Sequence, residues 1–323
     1  MKAIVLTKYG SADVLELQDV EKPKPKEGEV LVKVHATAIN DWDWCLMRGT
    51  PFYIRLLCGL LKPKIKIPGA EIAGQIEEVG HNVQQFQPGD MVYGDISECG
   101  FGGFAEYVCV PETALALKPD CMTFVEAAAL PHAAMLAVQG LLEEGQLQPG
   151  QKVLINGAGG GVGTLGVQIA KSMGAIDVTG VDSSDKFDMM HSVGFVQTID
   201  YTQKDFTQSQ EKYDLILDTK TNRSIFQYLR VLNPQGTYVT VGGDTLRLFQ
   251  VLFCKPIIRL LSNKRVCLVN LQPNKDLDYI NKLFQAGGIK PVLDGSYRLS
   301  EVPEMIQYFG MGKHKGKVVI AIE

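Results

Sequence analysis

The chain has 323 residues, more than a single hydrophobic core usually organises, so we expect two domains. Its net charge of −4 gives no general reason to expect nucleic acid or an anionic membrane as a partner. The seven cysteines are scattered and form no C-x-x-C pair, which argues against a disulfide framework and a cysteine-rich zinc site. Reduced cysteines, an N-terminus without a signal-peptide core, and no apolar run of ~20 residues predict a cytoplasmic protein with no integral membrane segment.

The N-terminal third of the chain predicts a mostly β domain. In residues 29–38, the apolar side chains of Val30, Val32, Val34 and Ala36 alternate along one face, as in a half-buried strand. Further strand-like segments, separated by turns, lie at residues 1–6, 14–17, 72–79, 91–94 and 104–110. From Phe124 the composition becomes helical, which marks the passage into a second domain.

The second domain begins with a glycine-rich unit, KVLINGAGGGVGTLGVQIAK, at residues 152–171. A buried strand that turns through glycine into a helix directs unpaired N–H groups and the positive end of the helix dipole at one spot, which favours a phosphate. The spacing departs from G-x-G-x-x-G, because alanine stands at the first position. The candidate phosphate contacts are Ala158, Gly160, Gly161, Val162 and Gly163. The alternative, a glycine-rich turn without a ligand, is disfavoured by the strand–turn–helix–strand context.

Strands and helices alternate after this turn. Strand candidates lie at residues 152–156, 176–181, 196–199, 213–217, 237–241 and 266–269, which suits a doubly wound parallel sheet. The second of these strands is followed by Asp182. An acidic residue at this position accepts hydrogen bonds from a ribose 2′-OH and would repel a 2′-phosphate.

Taken together, the sequence resembles the medium-chain dehydrogenase/reductase superfamily, and within it the zinc-independent quinone oxidoreductase branch. The similar blocks run nearly end to end and include ATAINDWD, IPGAEIAGQIEEVG, GGFAEYVCVP, GAGGGVGTLGVQIAKSMGA and HKGKVVI. The resemblance implies an α/β fold with a GroES-like β-rich catalytic domain (residues 1–121 and 289–323) and a Rossmann dinucleotide-binding domain (residues 122–288). It also implies an active site in the cleft between these domains.

The resemblance implies that no metal is bound. Zinc-dependent members of the superfamily carry a cysteine where this sequence has Asn40, and a His-Glu pair where it has Ala70-Glu71. Asparagine and alanine supply neither the thiolate nor the imidazole that a catalytic zinc requires. We interpret Glu71 as a structural carboxylate.

The resemblance implies a nicotinamide dinucleotide, and two readings of its identity stay open. Asp182 favours NADH, whereas Ser183, Lys186 and Tyr201 match positions that hold the 2′-phosphate in NADPH-dependent quinone oxidoreductases. The alternatives for these three are a helix cap, a solvated charge and a strand end. We predict NADPH, with NADH as the alternative. The nicotinamide end is expected to contact Gly242, Gly243 and Asn270.

The resemblance also indicates catalytic candidates. Asn40 and Asp43 form the family's N-x-x-D pattern, and the Asn40 amide is a candidate donor to an oxygen that gains negative charge. The alternative for Asn40 is a buried amide that holds its loop. Tyr53 is a candidate proton donor, and His132 is read as a structural group rather than an acid.

These observations predict an enzyme that transfers hydride from NADPH to a quinone or an α,β-unsaturated carbonyl compound without a metal. Two alternatives are an enoyl-thioester reductase and a nucleotide-binding protein without turnover. The expected partner is a small molecule, and we expect a homodimer. Two stretches, residues 54–69 and 246–265, are both apolar and basic. Each is either a lid or lipid-facing surface, or a helix that covers the core or contacts another subunit; for the second stretch we favour the core or subunit role.

Overall fold

The computed structural model describes residues 1–322 and divides into two compact units. The first unit comprises Met1–His132, Pro273–Gln285 and the C-terminal residues from Leu293. The second unit comprises Ala133–Gln272 and Ala286–Val292. The strands are β1 (Lys2–Leu6), β2 (Leu15–Asp19), β3 (Glu29–Ala38), β4 (Glu71–Val79), β5 (Met91–Asp95), β6 (Tyr107–Pro111), β7 (Ala116–Leu117), β8 (Lys152–Asn156), β9 (Asp177–Asp182), β10 (Gln197–Asp200), β11 (Tyr213–Asp218), β12 (Leu232–Thr240), β13 (Arg265–Leu268), β14 (Leu293–Arg298) and β15 (Lys317–Ala321).

The helices connect these strands and cover both sheets. They are α1 (Asp41–Arg48), α2 (Phe52–Cys58), α3 (Phe124–Ala128), α4 (Pro131–Val138), α5 (Gly161–Ser172), α6 (Phe187–Ser192), α7 (Ile225–Arg230), α8 (Thr245–Leu261), α9 (Leu277–Gln285) and α10 (Val302–Gly310). A π-helical segment, Gln139–Glu144, continues α4. Pro131 is the first residue of α4, a position where the missing N–H of proline is not needed.

The first unit is built on a seven-stranded sheet in which β14, β15, β3, β4, β5 and β7 follow one another and β6 also pairs with β3. The alternating apolar residues of β3 lie in its core, together with residues from the C-terminal β15 and α10. In the register of these strands, Ala38 lies opposite both Glu71 on β4 and Val319 on β15. The neighbouring strand ends therefore bring Asn40, Glu71 and Lys317 into one place.

The second unit contains a six-stranded parallel sheet in the order β10-β9-β8-β11-β12-β13. All six predicted strands are present, and the predicted doubly wound architecture is confirmed. The strand order reverses between β8 and β11, and in such sheets ligands bind at this reversal, outside the carboxyl ends of the strands. The glycine-rich turn follows β8, so it lies at this position.

The compact units differ in extent from the predicted domains. Residues 122–132 group with the first unit, because α3 packs against β3 and β4. Residues 273–285 also group there, since Asn274 donates to the carbonyls of Asp95 and Ala114, and the Tyr93 hydroxyl donates to Asn281. These tertiary contacts cannot be predicted from the local sequence of either segment. Across residues 1–322, no helix has the length and apolar character needed to cross a membrane.

Candidate functional site

The turn that follows β8 requires glycine at its first position. Gly157 has φ +82°, and a Cβ there would lie 2.1 Å from the Thr219 hydroxyl oxygen. Gly160 is the N-cap of α5, which begins at Gly161. The N–H groups of the first helical turn, including those of Gly161 and Val162, have no acceptor inside the helix and are available to an anion.

Two further glycines of the turn allow close packing. A Cβ on Gly163 would lie 2.5 Å from the backbone Cα and O of Ala158, so glycine is what lets α5 approach the end of β8. A Cβ on Gly159 would lie 2.5 Å from Cδ of Lys186 and 3.1 Å from Oδ2 of Asp182. The turn therefore lies directly against the end of β9.

The Asp182 carboxylate is buried and points into the turn. Its Oδ2 accepts from the N–H of Gly159 at 2.8 Å, and its Oδ1 accepts from the N–H of Ser183 at 2.9 Å. The ammonium of Lys186 lies 3.2 Å from the same Oδ1, and the Lys186 side chain is only 4% exposed. The ion pair with Lys186 neutralises the carboxylate, which would otherwise repel a phosphate.

The remaining predicted nucleotide contacts lie around the same sheet edge. Ser183 is half-buried, and Tyr201, whose N–H donates to the carbonyl of Asp182 at 3.4 Å, is 48% exposed. Gly242 and Gly243 follow β12 with φ of +149° and +133°, and a Cβ on Gly242 would meet nothing within 4 Å, so its backbone is accessible to a ligand. Asn270 is exposed beyond β13. These residues fit a nicotinamide dinucleotide, with the pyrophosphate at the start of α5.

A second constellation, a buried polar cluster, lies inside the first unit. The ammonium of Lys317 donates to Oδ1 of Asn40 at 2.6 Å and forms an ion pair with Oε2 of Glu71. The Asn40 amide donates to the same Oε2 at 2.7 Å and contacts the carbonyl of Ala38 at 3.4 Å. Glu71 is fully buried and Lys317 is 5% exposed. The amide of Asn40 therefore already has protein acceptors for both of its hydrogens.

Asp43 fixes the start of α1 beneath this cluster. Its Oδ2 accepts from the N–H of Asn40 at 2.9 Å, as the N3 residue of a capping box does, and its Oδ1 accepts from the N–H of Gly69 at 2.8 Å. Burial raises the pKa of Asp43 to about 7, although both backbone hydrogen bonds act against this rise. Asp43 thus joins α1 to the segment that leads into β4.

His132 extends the polar cluster. Its backbone N–H donates to Oε1 of Glu71 at 2.7 Å, and its Nδ1 lies 2.7 Å from Oδ2 of the buried Asp95. Burial acts to lower the pKa of His132, but the contact with Asp95 outweighs it and raises that pKa. Burial likewise acts to raise the pKa of Asp95, but the His132 contact and the Ser97 groups hold it below its usual value. His132 is therefore a partnered structural group.

Tyr53 lies apart from these hydrogen bonds. It is the second residue of α2 and is 42% exposed, and partial burial raises the pKa of its hydroxyl. Neither Lys317 nor Asp95, two charged members of the cluster, was predicted from the sequence. The signal for Lys317 was a lysine at the head of the apolar strand Lys317–Ala321, whereas nothing local distinguished Asp95 from other aspartates.

Known proteins resemble this chain along its whole length. A family model described as Alcohol dehydrogenase GroES-like domain matches residues 26–120, and one described as Zinc-binding dehydrogenase matches residues 193–320. The 2-methylene-furan-3-one reductase of Solanum lycopersicum is 33% identical over 330 residues, with 99% of this chain and 79% of that protein covered. The chloroplastic NADPH-dependent alkenal/one oxidoreductase of Arabidopsis thaliana is 32% identical over 333 residues, with the same coverage, 99% and 79%.

A solved structure, the quinone oxidoreductase from Coxiella burnetii, superposes with a TM-score of 0.88 at 27% identity and covers 100% of this chain and 99% of its own. The fold and these similarities together define an oxidoreductase that uses a nicotinamide cofactor. The chain belongs to the medium-chain dehydrogenase/reductase superfamily.

The buried polar cluster does not fit the zinc that the second family description names. Zinc takes thiolate, imidazole and carboxylate donors, whereas the cluster combines the Asn40 amide, the Lys317 ammonium and the Glu71 carboxylate. Both oxygens of Glu71 accept hydrogen bonds, and one of them contacts a lysine ammonium. No group of three or more metal-ligating side chains occurs within the described part of the chain.

Proposed function

We propose that the protein is a metal-independent reductase that transfers hydride from NADPH to an electron-poor carbon of a quinone or an α,β-unsaturated carbonyl compound. The observation that carries this proposal is the buried ion pair between Lys317 and Glu71, in which an ammonium, rather than a metal, neutralises the carboxylate. Without a Lewis acid to polarise an isolated carbonyl, hydride acceptance depends on conjugation within the acceptor itself. The reductase and oxidoreductase names of the two plant relatives, which refer to unsaturated ketones and alkenals, support the same acceptor class.

We propose the following chemistry. When bound, NADPH would supply a hydride to the β-carbon of the acceptor and become NADP⁺; a new C–H bond forms there as the π electrons of the alkene move to the carbonyl oxygen. The resulting enolate takes a proton from solvent or a nearby hydroxyl, for which Tyr53 is the candidate in this chain. The protein's part is to bind and orient the two reactants.

NADPH is favoured over NADH because Lys186 cancels the charge of Asp182. A carboxylate alone at this position repels a 2′-phosphate, whereas the neutralised pair does not. The Ser183 and Tyr201 hydroxyls supply further donors. The name of the Arabidopsis relative, an NADPH-dependent enzyme, supports the same choice.

For Asn40 and Asp43 the geometry favours positioning roles over direct catalysis. Both amide hydrogens of Asn40 have acceptors, and Asp43 accepts from two backbone groups. We therefore propose that Asn40 orders the polar cluster and that Asp43 holds the start of α1. The homodimer and the cytoplasmic location stay predictions from the sequence.

The test is NADPH oxidation with matched acceptors in the presence of a metal chelator. 2-Cyclohexenone and cyclohexanone differ only in the conjugated alkene. We expect oxidation with the enone and with quinones, none with the saturated ketone, and no effect of the chelator. If the protein reduces the saturated ketone and the chelator abolishes this activity, the proposal is contradicted. Tight NADPH binding without turnover of any acceptor would identify a nucleotide-binding protein instead.

A further inference from the structure

Helix α8 exposes a row of large apolar side chains. With 17 residues it is the longest helix in the described part of the chain. Successive members of the row lie three or four positions apart and so share one side of the helix. They are 54% to 84% exposed, and we define them as the α8 apolar face: Leu246, Phe249, Phe253, Ile257 and Leu260.

The helix is docked onto its unit by another side. Val251 and Ile258 are buried and belong to the core of the second unit. Phe249 and Phe253 stack on each other, with ring centroids 6.4 Å apart, on the exposed side. From sequence, residues 246–265 were expected to cover the core or to contact another subunit, and covering the core accounts for only one side of this helix.

The segment that carries this face is basic beyond the N-cap of the helix, Asp244. Residues 245–272 include no aspartate or glutamate, although the whole chain has a net charge of −4. The five cations in this range are Arg247, Lys255, Arg259, Lys264 and Arg265. Lys264 and Arg265 donate to a carbonyl and to an amide oxygen, which are neutral acceptors.

We propose that the α8 apolar face is a docking surface for an anionic lipid bilayer. The helix would lie in the plane of the membrane, with its aromatic and leucine side chains inserted and the arginines and lysines against lipid phosphates. A second copy of the chain is the less suitable occupant, because joining two α8 faces would bring the three cations of each helix together, while Asp244, the acid at the start of each helix, is engaged as its N-cap.

The proposal is tested by sedimentation of the full chain with vesicles of phosphatidylcholine, with and without phosphatidylserine. We expect binding to the serine-containing vesicles that weakens as salt is raised. Lys255→Gln/Arg259→Gln should lower the partition coefficient about 30-fold, at about fivefold per charge. Phe249→Ser/Phe253→Ser should lower it at least about tenfold.

Matched controls lie on the same unit. Ile176→Ser/Val196→Ser removes two exposed aliphatic side chains, and Lys204→Gln/Lys290→Gln removes two exposed cations, all outside α8. Both controls should bind vesicles as the parent chain does, and every variant should keep the parent's thermal midpoint. Absence of vesicle binding, or equal losses in the controls, would overturn the proposal. A dimer in sedimentation velocity that Phe249→Ser/Phe253→Ser dissociates, with no vesicle binding, would assign the face to a second copy.

Discussion

The ammonium of Lys317 lies between Glu71 and Asn40, 2.6 Å from the amide oxygen of Asn40, at the junction of β15, β4 and β3. Removing this cation leaves a fully buried carboxylate without its charge partner. We expect Lys317→Met to lower the free energy of unfolding by about 3 kcal/mol or more. Urea unfolding followed by circular dichroism measures this loss.

Two further variants decide whether the loss comes from the buried pair. Lys315→Met removes an exposed lysine two residues away and should leave stability within about 0.5 kcal/mol of the parent. Adding Glu71→Gln to Lys317→Met removes the unpaired charge and should restore part of the stability. If the double variant is no more stable than Lys317→Met, the ion pair is not the source of the loss.

Two glycines of α5 allow a matched comparison. Gly163→Ala would place a Cβ 2.5 Å from backbone atoms of Ala158, which cannot move aside locally. We expect a loss of about 1–3 kcal/mol in stability and weaker NADPH binding, measured by thermal unfolding and by fluorescence titration.

Gly166→Ala is the control in the same helix. Its Cβ would lie 3.3 Å and 3.4 Å from the flexible tips of Ile155 and Leu217. Since alanine favours a helix interior over glycine by about 1 kcal/mol, this variant should be near neutral or stabilising. Equal losses in both variants would show that the close contact between α5 and the Ala158 backbone is not the reason that Gly163 is required.

The Asp182–Lys186 pair predicts how cofactor preference changes. Lys186→Met should weaken NADPH binding about tenfold or more, because the Asp182 carboxylate, left without its charge partner, then repels the 2′-phosphate, and should change NADH binding little. Lys186→Met/Asp182→Asn removes the repelling carboxylate together with the lysine and should recover most of the NADPH binding. Dissociation constants of NADPH and NADH for each variant measure this preference. Lys204→Met, which removes an exposed lysine, is the control. Equal weakening of NADPH and NADH would contradict the assignment.

Asp43 predicts a pH dependence of stability. Its pKa is about 7 in the folded state and 3.8 when unperturbed, so the folded state binds the proton more tightly. Stability should therefore fall as pH rises between these values, by on the order of 1 kcal/mol for each pH unit at most. The pKa of His132 in the folded state is also raised, above its ordinary value of 6.5. His132 therefore adds stability at low pH that is lost as pH rises through its folded pKa.

Asp43→Asn should remove most of the pH dependence of stability below about pH 6. The pH dependence that His132 contributes at higher pH should remain. Asp41→Asn, an exposed aspartate at the start of the same helix, serves as the control and should keep the slope. Urea unfolding across the pH range gives the slopes. An unchanged slope in Asp43→Asn would contradict the assignment to this carboxyl.

The fold could be predicted from sequence because its signals are local. The glycine turn, the buried strand before it and the periodic helix after it stand next to one another in the chain, and the six strands of the second unit were found in this way. The predicted strand from residue 104 begins instead at Tyr107, since Phe104 and Glu106 pair with β1 through Ile4 and Lys2. Such pairings depend on the partner strand, which the segment itself does not specify.

The buried polar cluster could not be predicted because its members are far apart in sequence. Asn40 and Lys317 are 277 positions apart and meet only because β15 pairs with β3. The orientation of Asp182 was equally unpredictable, since it depends on the N–H of Gly159 and on Lys186. Both features are properties of tertiary packing.

The reaction proposed for this protein is hydride transfer to the β-carbon of a conjugated acceptor. It is tested most directly with NADPH carrying deuterium at the transferred position, 2-cyclohexenone as acceptor and a chelator present, followed by NMR of the product. We predict deuterium on the β-carbon of a saturated ketone. Deuterium on the carbonyl carbon of an allylic alcohol would contradict the claim.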